Sequence, residues 1–168
     1  ALKGINGAPG GLESGGGAGR FGEAVSYVIF GVALISVYLS SSLYHGVPVG
    51  RAKQLLRRVD HASILFLIAG TYTPFCVLGL PGTLGTVILT VEWVLAAAGI
   101  ILAIFFRRYS KAWQQVAFVV LYLAMGWMIL PSIGTLSQRL AVEVVWWTVV
   151  GGVSYTVGVI FFAMKRVR

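Results

Sequence analysis

Ser41, His45, Asp60 and His61 are the residues of this sequence whose types and spacing could do chemistry together. Ser41 and His45 are four positions apart, so on a helix they share one face. Pro48 and Gly50, which stop a helix, follow them, and Asp60 and His61 then open a second apolar run. If the two runs are antiparallel helices, a hydroxyl, one or two imidazoles and a carboxylate converge at one end of the pair. Imidazole and carboxylate bind zinc at about 2.0 to 2.2 Å, and a catalytic zinc keeps one position for water. The same residues also have plain structural roles. Asp60 suits a helix N-cap, accepting from the first free backbone N–H groups at the positive end of the helix dipole. Ser41 can bond back to its own helix, and a histidine is at home at a membrane interface. Spacing alone leaves both readings open.

The elements that must position these residues are long and apolar. Of the 168 residues, 58% are hydrophobic and 11% charged, where a soluble domain carries about 25% charged residues. Five apolar stretches, 24–44, 62–80, 84–106, 111–131 and 140–164, approach or exceed the length of helix that crosses a bilayer, about 20 residues. The expected fold is an all-α polytopic transmembrane helix bundle with five spans over 24–168, preceded by a Gly-rich extracytoplasmic segment, 1–23. The start reads as Gly-rich rather than basic and then apolar, so no cleavable signal is expected and the spans themselves direct insertion.

A net charge of +8 would suggest nucleic acid as a partner in a soluble protein. Here the cations cluster beside the spans, so membrane lipid is the expected partner and nucleic acid is not. Arg51, Lys53, Arg57 and Arg58 lie between spans one and two, Arg107, Arg108 and Lys111 between three and four, and Lys165, Arg166 and Arg168 after span five. The alternate connections, 79–83 and 132–139, hold only Arg139. The positive-inside rule then predicts an inner-membrane protein with the N-terminus of this chain outside and its C-terminus cytoplasmic.

Several other features invite a reading. Gly17-Ala18-Gly19-Arg20-Phe21-Gly22 has the spacing of a dinucleotide-binding fingerprint, but no strand precedes it and the helix after it enters a membrane, so a flexible connection is expected. Pro74 should kink span two, with the Thr71 and Thr73 hydroxyls or neighbouring helices satisfying the freed carbonyls. Glu92 lies near mid-depth in span three, where a charge costs a few kcal/mol, so it should face the interior or be protonated. A structural hydrogen bond is its expected role, and a proton or substrate contact the alternative. Gly152 with Thr156 and Ser154 with Gly158 offer small residues for close helix approach, while Tyr109, Trp113, Trp146 and Trp147 read as interfacial anchors. Cys76, the single cysteine, reads as an inert buried thiol.

Ser41-x-x-x-His45, followed by Asp60-His61-x-Ser63-Ile64 running into Ile68-Ala69-Gly70-Thr71-Tyr72-Thr73-Pro74, resembles hemolysin III, the bacterial branch of the progestin and adipoQ receptor family. Tyr122-Leu123-x-Met125-Gly126-Trp127 and Gly151-Gly152-x-x-Tyr155-x-x-Gly158-x-x-Phe161-Phe162 are similar to later spans of that family, although Phe162 stands where it often has Tyr. The resemblance implies seven spans and a zinc site like that of alkaline ceramidases. In that scheme His45 is a metal ligand, Asp60 holds or deprotonates the zinc-bound water, Ser41 supports the site and His61 has no ligand role. The two partner histidines stand on the family's last span. This sequence matches spans two to six, so zinc is expected in the complete protein and weak binding in this chain, whether as a fragment or as a member that has lost the metal. The implied activity is zinc-dependent hydrolysis of a lipid amide or ester. The alternatives are a lytic or pore-forming protein and a ligand-sensing receptor of the same fold.

Overall fold

The computed structural model describes residues 17–80, 82–105, 111–139 and 141–167, and in them the chain is an all-helical bundle. Helix α1 spans Gly17–Gly46 and α2 Arg51–Pro74, and α2 continues as a π-helical segment, Phe75–Gly79. Helix α3 follows at Thr83–Phe105, then α4 at Lys111–Gly126, a 3₁₀ segment at Trp127–Ser132, α5 at Ile133–Arg139 and α6 at Val142–Val167. Five stretches are long and apolar enough to cross a membrane: Gly19–Gly46, Arg51–Gly79, Thr83–Ile104, Val116–Gln138 and Val142–Phe161.

Small and polar side chains line the α1 seam, Leu65, Leu80, Met125 and Leu136 fill the core, and many large apolar side chains face outward. On α1 the buried positions Ser26, Ala33 and Ser40 are seven apart, while Val28, Val32, Ile35, Tyr38 and Leu39 are exposed. On α2 the partners repeat at the same interval. Ser40 meets Ser63, and a Cβ built on Gly70 would fall 2.8 Å from that of Ala33. On α3, Gly85, Glu92 and Gly99 repeat at seven residues. A Cβ on Gly85 would collide with the Leu80 carbonyl oxygen in the turn that leads into α3, and one on Gly99 would fall 2.5 Å from a methyl of Leu65 of α2. A strict seven-residue repeat gives helices that cross at a shallow angle. Because lipid is as apolar as a leucine side chain, close contact and interhelical hydrogen bonds hold the seams rather than exclusion of water.

Tyr72 and Tyr122 tie α2 to α4: the Tyr72 hydroxyl lies 2.8 Å from the Met125 carbonyl and 3.1 Å from that of Gly126, and Tyr122 donates to the His61 carbonyl at 2.9 Å. Trp127 donates to Thr156 at 3.0 Å and packs over Gly152, so that small pair is where α6 receives its neighbour. Ser154 and Gly158 of the other pair are exposed.

Five expectations need correction. Asp60 does not cap α2, which begins nine residues earlier behind Gly50; Arg51-Ala52-Lys53-Gln54-Leu55-Leu56-Arg57-Arg58 are good helix formers with no breaker among them. The 132–139 connection is helical, because Pro131 is taken up in the 3₁₀ segment and the chain turns only beyond Arg139. Thr71 and Thr73 donate to the carbonyls of Leu67 and Ala69, not to that of Gly70 four residues before Pro74, and the chain passes Pro74 by widening into the π segment. Glu92 has no structural hydrogen bond among the described residues. Gly17–Gly22, expected as a flexible connection, also need correction, for they form the first turns of α1, whereas residues 1–16 and Tyr109, and the side chain of Trp113, lie outside the described residues. Trp146 and Trp147 are exposed near the start of α6, as anchors would be.

Candidate functional site

The end of the bundle where α1 passes into α2 gathers the candidate residues. The register there is pinned by a buried hydrogen bond, Ser40 Oγ to Ser63 Oγ at 2.8 Å. Ser63 also lies 2.7 Å from the Asp60 carbonyl and Ser40 3.0 Å from that of Val37, so two hydroxyl protons serve three contacts and one is shared. From this tie, Ser41 and His45 lie further along α1 and Asp60 and His61 further back along α2, all toward the same end.

His61 is held from several sides. Its Nδ1 is 2.7 Å from the Arg57 carbonyl. A carbonyl only accepts, so Nδ1 is the donor and carries a proton. The Phe118 ring stands edge-to-face at 6.4 Å between centroids, and Tyr122 holds the His61 backbone.

Asp60 is in the opposite situation. Its side chain is 18% exposed and its carboxylate lies 3.8 Å from His61 Nδ1, a nitrogen already committed to Arg57. No hydrogen bond reaches its carboxylate among the described residues. Ser41 is half-buried and His45 exposed, its ring meeting Tyr44 edge-on at 4.9 Å. Lys53 closes the corner, donating to the Val47 carbonyl at 3.0 Å and lying 5.2 Å from the Tyr44 ring centre. His45 and Asp60 are donor types that zinc accepts. Among the described residues, however, no three of His, Cys, Asp and Glu come together, so the residues present account for part of such a site.

Asp60, Ile64, Ile68, Thr71 and Phe75 recur at three- and four-residue spacing and form one stripe along α2. The stripe ends in an apolar cavity of about 210 Å³, lined by Ile68, Thr71, Tyr72, Phe75, Gly126, Ile129 and Thr148. A carboxylate at one end of the bundle is thus joined by a single helix face to an apolar space within it.

The matches to known proteins fall on these same elements. A family model described as haemolysin-III related matches residues 14–168. The chain belongs to the haemolysin-III related family. A hemolysin-3 homolog of Bacillus subtilis (strain 168) is 39% identical over 154 residues, covering 89% of this chain and 70% of that protein. Hemolysin-3 of Bacillus cereus is 38% identical over 149 residues, covering 88% and 66%. The monocyte to macrophage differentiation factor of Homo sapiens is 28% identical over 152 residues, 83% of this chain and 58% of that protein, which supports the tie to the progestin and adipoQ receptors. The chain therefore spans between 58% and 70% of the length of these relatives. No solved structure matches it.

In this haemolysin-III related chain, the block from Asp60 to Pro74 supplies the α2 stripe and the contacts to α1, α3 and α4. Ser63 makes the α1 tie, Gly70 admits α1, Tyr72 bonds α4 and Thr73 accepts from Trp93 of α3 at 3.2 Å. Sequence reasoning missed the clamp on His61 and the Ser40–Ser63 tie. The adjacency of two serines to the motif was visible, but which one faced the neighbouring helix was not.

Proposed function

We propose that this chain carries part of the active site of a zinc-dependent membrane hydrolase that cleaves an amide or ester bond of a lipid. The observation that carries this reading is Asp60. Aspartate is a poor residue for a helix interior, and here it sits ten residues into α2, does not cap it and has no hydrogen bond to its carboxylate among the described residues, beside the end of α1 that bears Ser41 and His45. His45 and Asp60 are the metal ligands this chain contributes, and the remaining ligands come from outside the described residues. Zinc, when bound, supplies the acidity that lets water attack a carbonyl near neutral pH. Asp60 takes the proton of the attacking water on its carboxylate and passes it to the leaving group. Ser41 lies one turn from His45 and supports the imidazole. The apolar cavity along the same face of α2 takes the hydrocarbon chain, which places the scissile bond at the polar end.

The test is catalytic. The complete protein in lipid vesicles should release fatty acid from ceramide-like lipids while a trapped dye stays inside. Leakage without release would replace the hydrolase with the lytic reading, and neither event, with a ligand-dependent change in stability, would favour a receptor.

The same reading places the site at the cytoplasmic face of the inner membrane. Ten of the chain's cations lie in or beside the segments at that end, against one in the opposite connections. A membrane-impermeant thiol reagent added from outside should label Ala141→Cys and spare Gln54→Cys, both at exposed positions, with the native Cys76 buried. Labelling of position 54 alone would invert the orientation.

A further inference from the structure

Glu92 is fully buried at 0% exposure, and neither of its carboxyl oxygens has a hydrogen-bond partner among the described residues. It occupies the middle of the Gly85, Glu92, Gly99 repeat of α3, the face whose Gly99 packs on Leu65 of α2. The polar groups facing it from α2 are spent. Thr73 donates to the Ala69 carbonyl and accepts from Trp93, and the Tyr72 hydroxyl is held by Met125 and Gly126. The titratable neighbours are Tyr72 and Cys76, and neither brings a positive charge.

No cation among the described residues is bonded to it. On α2 the basic residue nearest Tyr72 in sequence is His61, eleven residues earlier and about 16 Å along the helix, while Glu92 is tenth of the 23 residues of α3, about 14 Å from one helix end and 20 Å from the other. An ionised carboxylate with no donor and no counter-charge is not sustained in such a place. What completes the group is a proton.

We propose that Glu92 is a proton-binding site within the α2–α3 seam. Its position gives the proton a structural consequence. Loss of the proton puts a charge between two helices in contact, beside the Tyr72 that holds α4 and lines the apolar cavity, so proton release and the packing of α2 on α3 and α4 are linked. The π segment that follows Pro74 and the 3₁₀ segment that follows Gly126 adjoin this point, and broken helices in membranes are where backbone can rearrange around a buried site.

Infrared spectroscopy of the protein in lipid nanodiscs at neutral pH tests this directly. The wild type should show a carboxylic-acid carbonyl band that Glu92→Gln lacks, and a hydrophobic carbodiimide should form an adduct mapped by mass spectrometry to the peptide containing Glu92. The adduct needs no variant, so it decides the matter if Glu92→Gln fails to insert. Identical acid-region spectra for the two proteins, with no adduct at Glu92, would show an ionised carboxylate and overturn the proposal.

Discussion

Asp60→Asn is expected to leave the bundle folded and to lower lipid hydrolysis by a factor on the order of 10² to 10⁴. Position 60 lies inside α2, where aspartate and asparagine have similar helix propensity. The substitution removes no hydrogen bond seen among the described residues, and the Ser63 contact is to the residue 60 carbonyl, which remains. Stability should therefore change by no more than about 0.5 kcal/mol, the scale of a substitution that breaks no buried contact. Asparagine keeps the shape and loses the ability to take a proton from water, so a large loss of turnover with an unchanged melting temperature assigns Asp60 a chemical role. Equal turnover in the two proteins would remove Asp60 from the mechanism. The measurement is initial rate of fatty-acid release in vesicles alongside thermal unfolding of the same preparations.

Asp60 also illustrates what the sequence makes legible. The number of spans follows from run length, because an apolar stretch of membrane-crossing length has few other uses. Where α2 begins does not follow from apolarity. Its first turns carry Arg51, Lys53, Arg57 and Arg58, which read as a loop by hydropathy although each favours a helix and Gly50 marks the start. Cations can extend past the bilayer edge while their stems stay along the helix, so a polar first turn does not mean an unwound one. The segment 132–139 misled for a related reason. Ser132, Gly134, Thr135 and Ser137 are turn residues in water, but a continuous helix satisfies its own backbone and is favoured wherever lipid is near.

For the candidate residues, what was legible was the helix end at which they lie. Ser41, His45, Asp60 and His61 do lie at one end of the α1–α2 pair. The division of labour among them was not legible, since it depends on rotation about each helix axis. The contact face of α1 is set by Ser26, Ala33 and Ser40, which turns Ser40 rather than Ser41 into the interface and leaves His45 exposed. The fixed orientation of His61 depends on a carbonyl one turn back and on α4 residues some sixty positions away. Glu92 shows the same limit from the other side. A carboxylate in a span was visible as an anomaly, but its lack of a partner among the described residues emerges only once the α2 side chains near it are seen to be committed elsewhere.

The central claim is that this end of the bundle binds zinc through His45 and Asp60, and metal content tests it most directly. The complete protein, purified without chelator and washed free of loose metal, should hold about one zinc ion per chain, as expected of a catalytic site with three protein ligands and one open position. His45→Ala should fall well below that while remaining inserted and helical, because the His45 side chain is exposed and its ring meets that of the neighbouring Tyr44. Zinc held at full stoichiometry by His45→Ala, or none held by the wild type, would contradict the account.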